Sequence, residues 1–567
     1  GNNTDWVKAI TQTGFAGEHT LSLQGGGEKA RYYSSVGYLD SRGITVGTGL
    51  ERISARLNLD YTVSNRIRFR SDIAYTHSVT DRNYVNGTSA SSSTSTADGI
   101  RSVAYKKMPN MGIYEYDEYG ILTPNYFSPQ SNIQGTYTRT YNPLAMAELA
   151  FNKQTGSRIT PIFNLRYDLL PRRVTTDFTV MFDVNNNKAS SFLPQIATGR
   201  PYTETVVNRA GDSDLDQFRV QTKSNITYTP ELGEKHDLMA ILSLQTDDFR
   251  NINQEALTSN TASSLLTDPS IDSRSQNNGL ALCTLNNHLR SVAALVSAQY
   301  KYNDKYIVNV GLRGDGNSRF GPSNRYGLFP SVSGRWRVSG ENFMKKFRKV
   351  DDLSLRLSYG QSGKQPSRDY LFFSTYSTYS SGYLGLSGVY PSSMELSDLK
   401  WETVSGKDIG IDLSMFKRRL TLNLDAYENT TTDLYFQNLQ ISAVSGYNDV
   451  DLNYGKMDNR GWEVGLNAIL KKSKKLNIDF GFNIARNLNI IREVSEYFPS
   501  QEGFSDRNGS YKRFLRIDNP FGSFYGYRFK GVYKDTEATI AKGADGNPIL
   551  GPNGDPVYMR FNYPATD

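Results

Sequence analysis

The chain has 567 residues, 38% of them hydrophobic, and a formal net charge of +7. It contains no run of about 18 apolar residues, which excludes a helical membrane protein but not a membrane β-barrel, where only alternate residues face lipid. The single cysteine, Cys283, excludes an intramolecular disulfide. The basic residues alternate with apolar ones and form no patch, so nucleic acid is not an expected partner.

The first strong pattern in chain order is a strict alternation of apolar and polar residues that begins at Ile53. It runs to Val63, passes through the tight-turn pair Ser64-Asn65 and resumes at Ile67. Such a period of two is typical of β-strands that bury one face. The apolar positions are Ile53, Ala55, Leu57, Leu59, Tyr61, Val63, Ile67, Phe69, Ile73 and Tyr75, and charged residues such as Arg56, Asp60, Arg68, Arg70 and Asp72 take the other face.

The same alternation returns over residues 408–426 and 462–484. Short turns and long connections alternate along the chain, which is typical of outer-membrane barrels with short periplasmic turns and long extracellular loops. The pattern predicts about 16–17 strands, each about 10–13 residues long. The predicted long connections are 80–156, 187–214, 250–288, 363–403, 431–457 and 490–520.

An alternative interpretation is a string of soluble β-sandwich domains, as in an adhesin. Sandwich strands average about 5–6 residues, shorter than those predicted here, and no repeat of about 100 residues is visible. Tyrosines near strand ends, such as Tyr61, Tyr75 and Tyr300, also match the aromatic girdles of membrane barrels. We therefore predict an all-β fold: a large antiparallel transmembrane β-barrel in the outer membrane of a Gram-negative bacterium. Its hydrated interior is lined by Arg56, Asp60, Arg68, Arg70, Asp72, Arg356, Asp408, Asp412 and Glu463.

Several blocks resemble the SusC/RagA-type TonB-dependent transporters. One block runs from Gly311 to Gly321 (GLRGDGNSRFG) and continues into Arg325 to Ser333 (RYGLFPSVS). Further similar blocks are Leu355 to Gly363, Leu399 to Thr403, Tyr454 to Glu463 and Gly531 to Tyr533, together with His19 to Leu39 near the start. The resemblance covers nearly the whole chain in the same order.

The resemblance implies a barrel of about 22 strands with a plugged lumen. It implies TonB-dependent import of oligosaccharides or oligopeptides across the outer membrane, with a SusD-like surface lipoprotein that covers the extracellular mouth. Glycan is the favoured cargo because glycan systems are common in the family. On this interpretation residues 1–567 are part of one barrel domain, and the N-terminal plug, the TonB-contacting segment and the last strands lie outside the chain.

The long connections are the expected places for substrate or lipoprotein contacts, since function often lies on loops held by a rigid scaffold. Aromatic rings beside polar groups suit sugar rings or peptide side chains. The alternative is that these rings pack loop against loop. The candidate contact residues are Tyr114, Tyr116, Tyr126, Tyr137, Tyr370, Phe373, Tyr376 and Tyr383.

Other motifs are weak. Asp545-Gly546-Asn547-Pro548 and Asn553-Gly554-Asp555-Pro556 are turn signals. Calcium on such a loop is conceivable, but the spaced acidic ligands of an EF-hand are missing, so no cofactor is expected. The four histidines lack the spacing of a zinc site. With no carboxylate pair or serine triad evident, the chain is not expected to be an enzyme, and the rival to transport is an adhesin or structural β-protein.

Overall fold

The structure is a computed structural model. It describes residues 2–84, 99–127, 142–198, 208–259, 261, 263–269, 281–378, 388–447, 449–473, 475–494, 512–514, 516–525, 540–552 and 554–557.

One antiparallel sheet of sixteen strands dominates the fold, and each of its strands pairs with the next one along the chain. Within the described residues, its first and last strands each have a single neighbour in the sheet. The strands, labelled in chain order, are β1 (Phe15–Gly26), β2 (Ala30–Arg42), β3 (Gly49–Ser64), β4 (Ile67–Arg82), β7 (Phe151–Leu170), β8 (Val174–Leu193), β9 (Arg209–Tyr228), β10 (His236–Thr258), β11 (Ala281–Tyr302), β12 (Tyr306–Asn317), β13 (Tyr326–Arg337), β14 (Val350–Lys364), β17 (Glu402–Met415), β18 (Leu420–Thr432), β21 (Gly455–Lys472) and β22 (Asn477–Val494).

The remaining elements are short and lie in the connections. They comprise the hairpins β5 (Tyr114–Tyr116) with β6 (Leu122–Tyr126), β15 (Tyr376–Thr378) with β16 (Val389–Pro391), β19 (Tyr435–Gln440) with β20 (Asp449–Asn453), and β23 (Lys512–Phe514) with β24 (Ser523–Tyr525). The helices are α1 (Trp6–Ala9), α2 (Ile100–Lys106), α3 (Pro143–Leu149) and α4 (Gln195–Thr198), with 3-10 turns at Pro322–Asn324, Val338–Gly340, Asn342–Lys346 and Ala443–Ser445. In the part of the chain that the structure describes, no helix is long and apolar enough to cross a membrane.

The pairing register places the two residue classes on opposite faces of the sheet. Leu57 lies opposite Ile73, and Leu422 lies opposite both Leu413 and Leu466, so apolar side chains meet apolar side chains across neighbouring strands. We call the face that carries these residues the apolar face and the opposite one, which carries Arg56, the polar face. Because side chains alternate along a strand, the register confirms the period of two in the sequence.

The ends of the sheet differ as the turn parity predicts. At one end the connections are short, and Asn303 and Asp304 between β11 and β12 both have positive φ, as a two-residue type I′ turn requires. At the other end most connections are long, and the longest joins Arg82 of β4 to Phe151 of β7. We refer to these ends as the short-turn end and the long-loop end.

Several strands extend further than the sequence predicts. Residues 187–193 and 209–214, predicted as connection, belong to β8 and β9, and β10 and β11 also continue past the predicted boundary. The apolar alternation fades there, as in the run Asn185-Asn186-Asn187, but the backbone pairing continues. Polar side chains support it, since Asn185 Nδ2 donates to Gln217 Oε1 at 2.8 Å. The predicted boundary was wrong because backbone ladders do not need an apolar face.

A separate hydrophobic cluster lies at the long-loop end. It unites α1, α2, α3 and α4, and its buried members include Trp6, Ile10, Leu144 and Leu193. The fully buried Asn142 caps α3, because its Oδ1 accepts from the backbone N–H groups of Leu144 and Ala145 at 3.1 and 3.2 Å. Its Nδ2 donates to two carbonyl oxygens of the same connection at 2.8 and 3.1 Å. We call this cluster the loop core.

Candidate functional site

The apolar face is the first feature that bears on function. Large side chains on it are about half exposed, for example Leu57 at 48%, Val296 at 58% and Phe480 at 49%. Soluble monomers rarely expose continuous apolar patches larger than a few hundred Å². A face of this kind, repeated over sixteen strands, therefore contacts hydrocarbon.

The polar face carries ion pairs between neighbouring strands. Arg56 lies 2.5 Å from Asp72, and Arg158 lies 2.7 Å from Asp183 with two parallel N–H···O bonds. On β14, Arg356 contacts two carboxylates, Asp412 and Asp425. Further pairs on this face are Arg68 with Asp60, Arg219 with Asp247 and Arg313 with Asp315.

These pairs mark the polar face as a hydrated wall. Nearly all of the arginines involved keep at least a third of their side-chain surface exposed, so the face is not a packed core. The parity of Asp408 and Glu463 puts them on the same face, beside Ile409 and Trp462 on the apolar face. The predicted interior lining is therefore confirmed as one face of the sheet. Its individual members form cross-strand ion pairs, the simpler of the two interpretations.

A pocket of about 460 Å³ lies on the polar face near the long-loop end. Two Arg–Asp pairs line it, Arg219 with Asp247 at 2.5 Å and Arg313 with Asp315 at 2.7 Å. Lys364, Gln361 and Gln365 add further polar groups, and Phe329 and Trp401 supply apolar surface. Such a mixture of aromatic faces and convergent polar groups is typical of ligand-binding pockets. We call it the wall pocket.

An aromatic stack forms one side of the wall pocket. The ring of Trp401 stacks on Phe320 with centroids 4.4 Å apart and meets the edge of Phe329 at 5.8 Å. Phe329 can turn toward the polar face because glycines lie beneath it: a Cβ on Gly327 would lie 2.7 Å from its ring, and a Cβ on Gly363 would overlap the ring. The Nε1 atom of Trp401 is buried and has no hydrogen-bond partner among the described residues.

The sequence did not single out this pocket, although a signal exists. Leu328 and Phe329 are adjacent apolar residues in β13, so one of them breaks the alternation and must point to the polar face. Both Phe329 and Trp401 lie within the blocks that resemble SusC/RagA-type transporters. Their meeting depends on a long-range contact that spacing alone does not predict.

The predicted contact residues of the first long connection lie in or beside the loop core. Tyr114 and Tyr126 stack with centroids 5.2 Å apart, and Tyr126 packs against the loop core and bonds to Glu148. Burial and this carboxylate raise the pKa of Tyr126. Tyr116 is more exposed, at 55%, and its hydroxyl contacts Asn2 at 3.4 Å.

The predicted contact residues of the later connection are more exposed. Tyr370 accepts a hydrogen bond from the backbone N–H of His288 at 2.9 Å, while Phe373 stacks on Phe372 at 4.1 Å. Tyr376 begins the small strand β15 and is 67% exposed. Tyr137 and Tyr383 lie outside the described residues.

The turn motifs near the end of the chain form compact loops. Asp545 Oδ1 accepts from the backbone N–H of Asn547 at 3.2 Å, and Gly546 has a φ of +78°. Hydrogen bonds from Asn547 lower the pKa of the Asp545 carboxyl. Within the described ranges, no group of three or more His, Cys, Asp or Glu side chains is arranged to hold a metal ion. Calcium on this loop therefore stays an untested expectation.

Together, an apolar face toward lipid, a hydrated polar face and the alternation of turn lengths define the wall of an outer-membrane β-barrel. Comparison with known proteins identifies the family. Residues 116–553 match the family model described as "TonB dependent receptor-like, beta-barrel". The chain belongs to this family, and within it to the SusC/RagA type, and is located in the outer membrane of a Gram-negative bacterium. The family consists of transporters and not of enzymes.

Individual relatives support this assignment. TonB-dependent receptor P39 of Formosa agariphila is 30% identical over 99% of this chain and 50% of its own length. TonB-dependent receptor SusC of Bacteroides thetaiotaomicron is 24% identical over 93% of this chain and 52% of its own length. The chain thus spans about half the length of the curated relatives it matches.

The fold also matches solved structures. The RagAB peptide importer in its closed-closed state superimposes with a TM-score of 0.75 over 99% of this chain and 59% of that chain, at 20% identity. The same importer in its open-open state gives a TM-score of 0.75 over 99% of this chain and 58% of that chain. The predicted barrel fold is therefore confirmed.

Proposed function

We propose that this chain forms much of the wall of an outer-membrane channel that imports oligosaccharides in a TonB-dependent manner. A SusD-like surface lipoprotein is the expected partner at the long-loop end, and TonB supplies the energy through a segment outside this chain. The wall pocket is the observation that carries the proposal, because it places an aromatic stack and convergent polar groups on the hydrated face near the long loops.

The chemistry of the wall pocket favours a polar, uncharged substrate. Sugar rings stack on aromatic faces, and their hydroxyls accept from arginines and donate to carboxylates. The arginines there are already paired with Asp247 and Asp315, so the pocket offers no uncompensated Arg–Asp charge. Oligopeptides are the second candidate, since the same pairs of opposite charge complement a zwitterionic chain.

Deleting the full-length gene tests the transport function. We expect the deletion strain to lose growth on one class of polymer, either a glycan or a protein digest, and to regain it with the wild-type gene. Unchanged growth on every glycan and peptide tested would count against import. An adhesin would instead leave growth intact and dissolve without detergent.

A tryptophan pair tests the role of the wall pocket. We expect Trp401→Ala to reduce uptake of the imported oligomer at least about tenfold, because it removes the stacking surface. Trp336→Ala, a matched change on the apolar face, should leave uptake near the wild-type rate. Outer-membrane abundance, measured by immunoblot, must be equal for both variants. Equal uptake by the two variants would exclude the wall pocket from the transport path.

A further inference from the structure

A second concave site lies on the apolar face, away from the wall pocket. Its floor follows one row of directly paired residues across six strands: Val308, Gly334, Leu357, Ile409, Ala426 and Trp462. Two small residues in this row, Gly334 and Ala426, lie between larger neighbours, so the surface is recessed there. The resulting groove has a volume of about 1170 Å³, larger than the upper end of the usual range for small-ligand pockets, about 1,000 Å³.

The row next to this floor, on the side of the long-loop end, is charged. Tyr359 pairs with Lys407, Lys407 with Glu428, and Glu428 with Arg460 in the strand register. Arg460 lies 2.8 Å and Lys407 lies 3.7 Å from the single carboxylate of Glu428. On the last strand Arg486, opposite Trp462, adds a third cation to the groove.

The charge of this row is predominantly positive. Lys407, Arg460 and Arg486 face one nearby carboxylate, Glu428. Asp458 also reaches Arg460 at 3.3 Å, but it is buried and bonds more closely to Arg492 at 2.8 Å. The side chain of Lys407 is 67% exposed and that of Arg460 is 49% exposed. These cations are therefore available to an anion at the surface.

The depth of the row in the membrane narrows the identity of that anion. Toward the short-turn end the outward positions are apolar on every strand, as with Ile411, Leu424, Val464 and Ile484. From Lys407 to the end of β17 at Met415 the strand rises about 27 Å, or about 20 Å along the membrane normal when tilted by about 40°. The apolar band of such barrels is about 25 Å tall, so the cations lie near its extracellular boundary, at the level of lipid headgroups.

We propose that this groove binds a phosphorylated glycolipid of the outer leaflet, of the lipid A class. A phosphate at headgroup level lies between Lys407 and Arg460, and an acyl chain occupies the recess over Gly334 and Ala426. Charge complementarity carries the proposal, because basic residues at a membrane interface recognise anionic headgroups and arginine matches phosphate geometry. The site is independent of cargo and of the wall pocket, which lies on the opposite face.

Native mass spectrometry of the full-length protein in detergent tests this proposal. The probes are purified lipid A and the same lipid after enzymatic removal of its phosphate. We expect the wild type to bind the phosphorylated form at least about tenfold more tightly. Equal affinity for the two forms would overturn the proposal.

Two variants test the headgroup and acyl parts of the groove separately. Lys407→Gln with Arg460→Gln should weaken lipid A binding about tenfold or more and leave the dephosphorylated lipid unaffected. Gly334→Leu should weaken binding of both lipids, because it fills the recess; a Cβ there meets no atom within 4 Å, so the strand accommodates it. The control, Lys417→Gln with Arg419→Gln, removes two charges at the short-turn end of the same hairpin and should change neither affinity.

Folding and self-association complete the test. Heat-modifiable gel migration must be the same for all variants, which shows that each barrel is folded. If the control variant weakens lipid A binding as much as Lys407→Gln with Arg460→Gln, the effect is general electrostatics and the proposal is wrong. If Lys407→Gln with Arg460→Gln converts a dimer to a monomer without changing lipid affinity, the groove is instead a contact between two copies of the chain.

Discussion

The same residue types have opposite environments in the sheet and in the loop core. Trp462 on the apolar face is 41% exposed, whereas Trp6 in the loop core is 3% exposed; Leu57 is 48% exposed, whereas Leu193 is fully buried. The loop core is held by packing, as in a soluble protein. The sheet has no comparable core among the described residues, so its apolar face is stabilised by lipid and its polar face by water and ion pairs.

A charge on the apolar face should break the sheet most severely. Leu424 lies in the middle of the outward positions of β18, opposite Ile411 and Val464. Because an arginine at the bilayer midplane is costly, we expect Leu424→Arg to lower the free energy of unfolding by about 2–4 kcal/mol. Its chain neighbour Asn423 faces water, so Asn423→Arg should cost less than about 1 kcal/mol. Urea unfolding in lipid vesicles measures both, and similar losses would show that the two faces share one solvent.

The loop core should respond to pH where the sheet does not. Lys107 is buried against this cluster with its Nζ 5.1 Å from the ring centroid of Trp6, and burial lowers its pKa from 10.5 to about 8. Between these values the unfolded chain binds more protons than the folded one, so stability rises with pH from about 8 to about 10.5. Below pH 8 the full penalty applies, at most about 3 kcal/mol of local unfolding free energy.

Substitution of Lys107 isolates this effect. We expect Lys107→Met to slow proteolysis of residues 99–127 at pH 7.5 and to remove most of the difference in cleavage between pH 7.5 and pH 9.5. Lys106→Met, on the neighbouring exposed residue, is the control and should leave that difference in place. A wild-type loop core that is equally protected at both pH values contradicts the assignment.

The contrast between the two regions also explains what the sequence predicts. In the sheet, each side chain reports which face it occupies through its own polarity, so alternation predicts strands and faces locally. Arg56, Asp60 and Asp72 were assigned correctly to the hydrated face for this reason. Turn parity adds the direction of the strands, since Asn303-Asp304 and its counterparts recur at one end only.

The loop core was not predictable in the same way. It is assembled from residues near 6, 100, 145 and 195, and no local period links these segments. Tyr126 appears in the sequence as one of many loop aromatics, yet it packs against Ala and Leu side chains brought from other connections. The wall pocket shares this property, because Trp401 meets Phe320 across about eighty residues of chain.

The aromatic stack on the polar face gives an intermediate effect. Gly363 lies beneath the ring of Phe329, so Gly363→Val forces that ring and Trp401 to move. We expect a loss of about 1–3 kcal/mol, as for an overpacked core, and a shifted tryptophan fluorescence maximum. Gly465→Val on the same face is the control, because a Cβ there meets no atom within 4 Å. Equal losses for both variants would mean that glycine flexibility and not packing matters.

The smallest effect should come from the ion pairs of the polar face. Arg158 and Asp183 lie 2.7 Å apart, but the arginine is 57% exposed, so water screens the pair and we expect Arg158→Gln to cost less than about 1 kcal/mol. The loss should shrink further in 1 M salt, where the Debye length is about 3 Å. Urea unfolding at two salt concentrations measures it, with Asp183→Asn as the reciprocal variant. A loss above about 2 kcal/mol that salt does not reduce would indicate a dry, packed interior, and the hydrated wall on which the import proposal depends would be wrong.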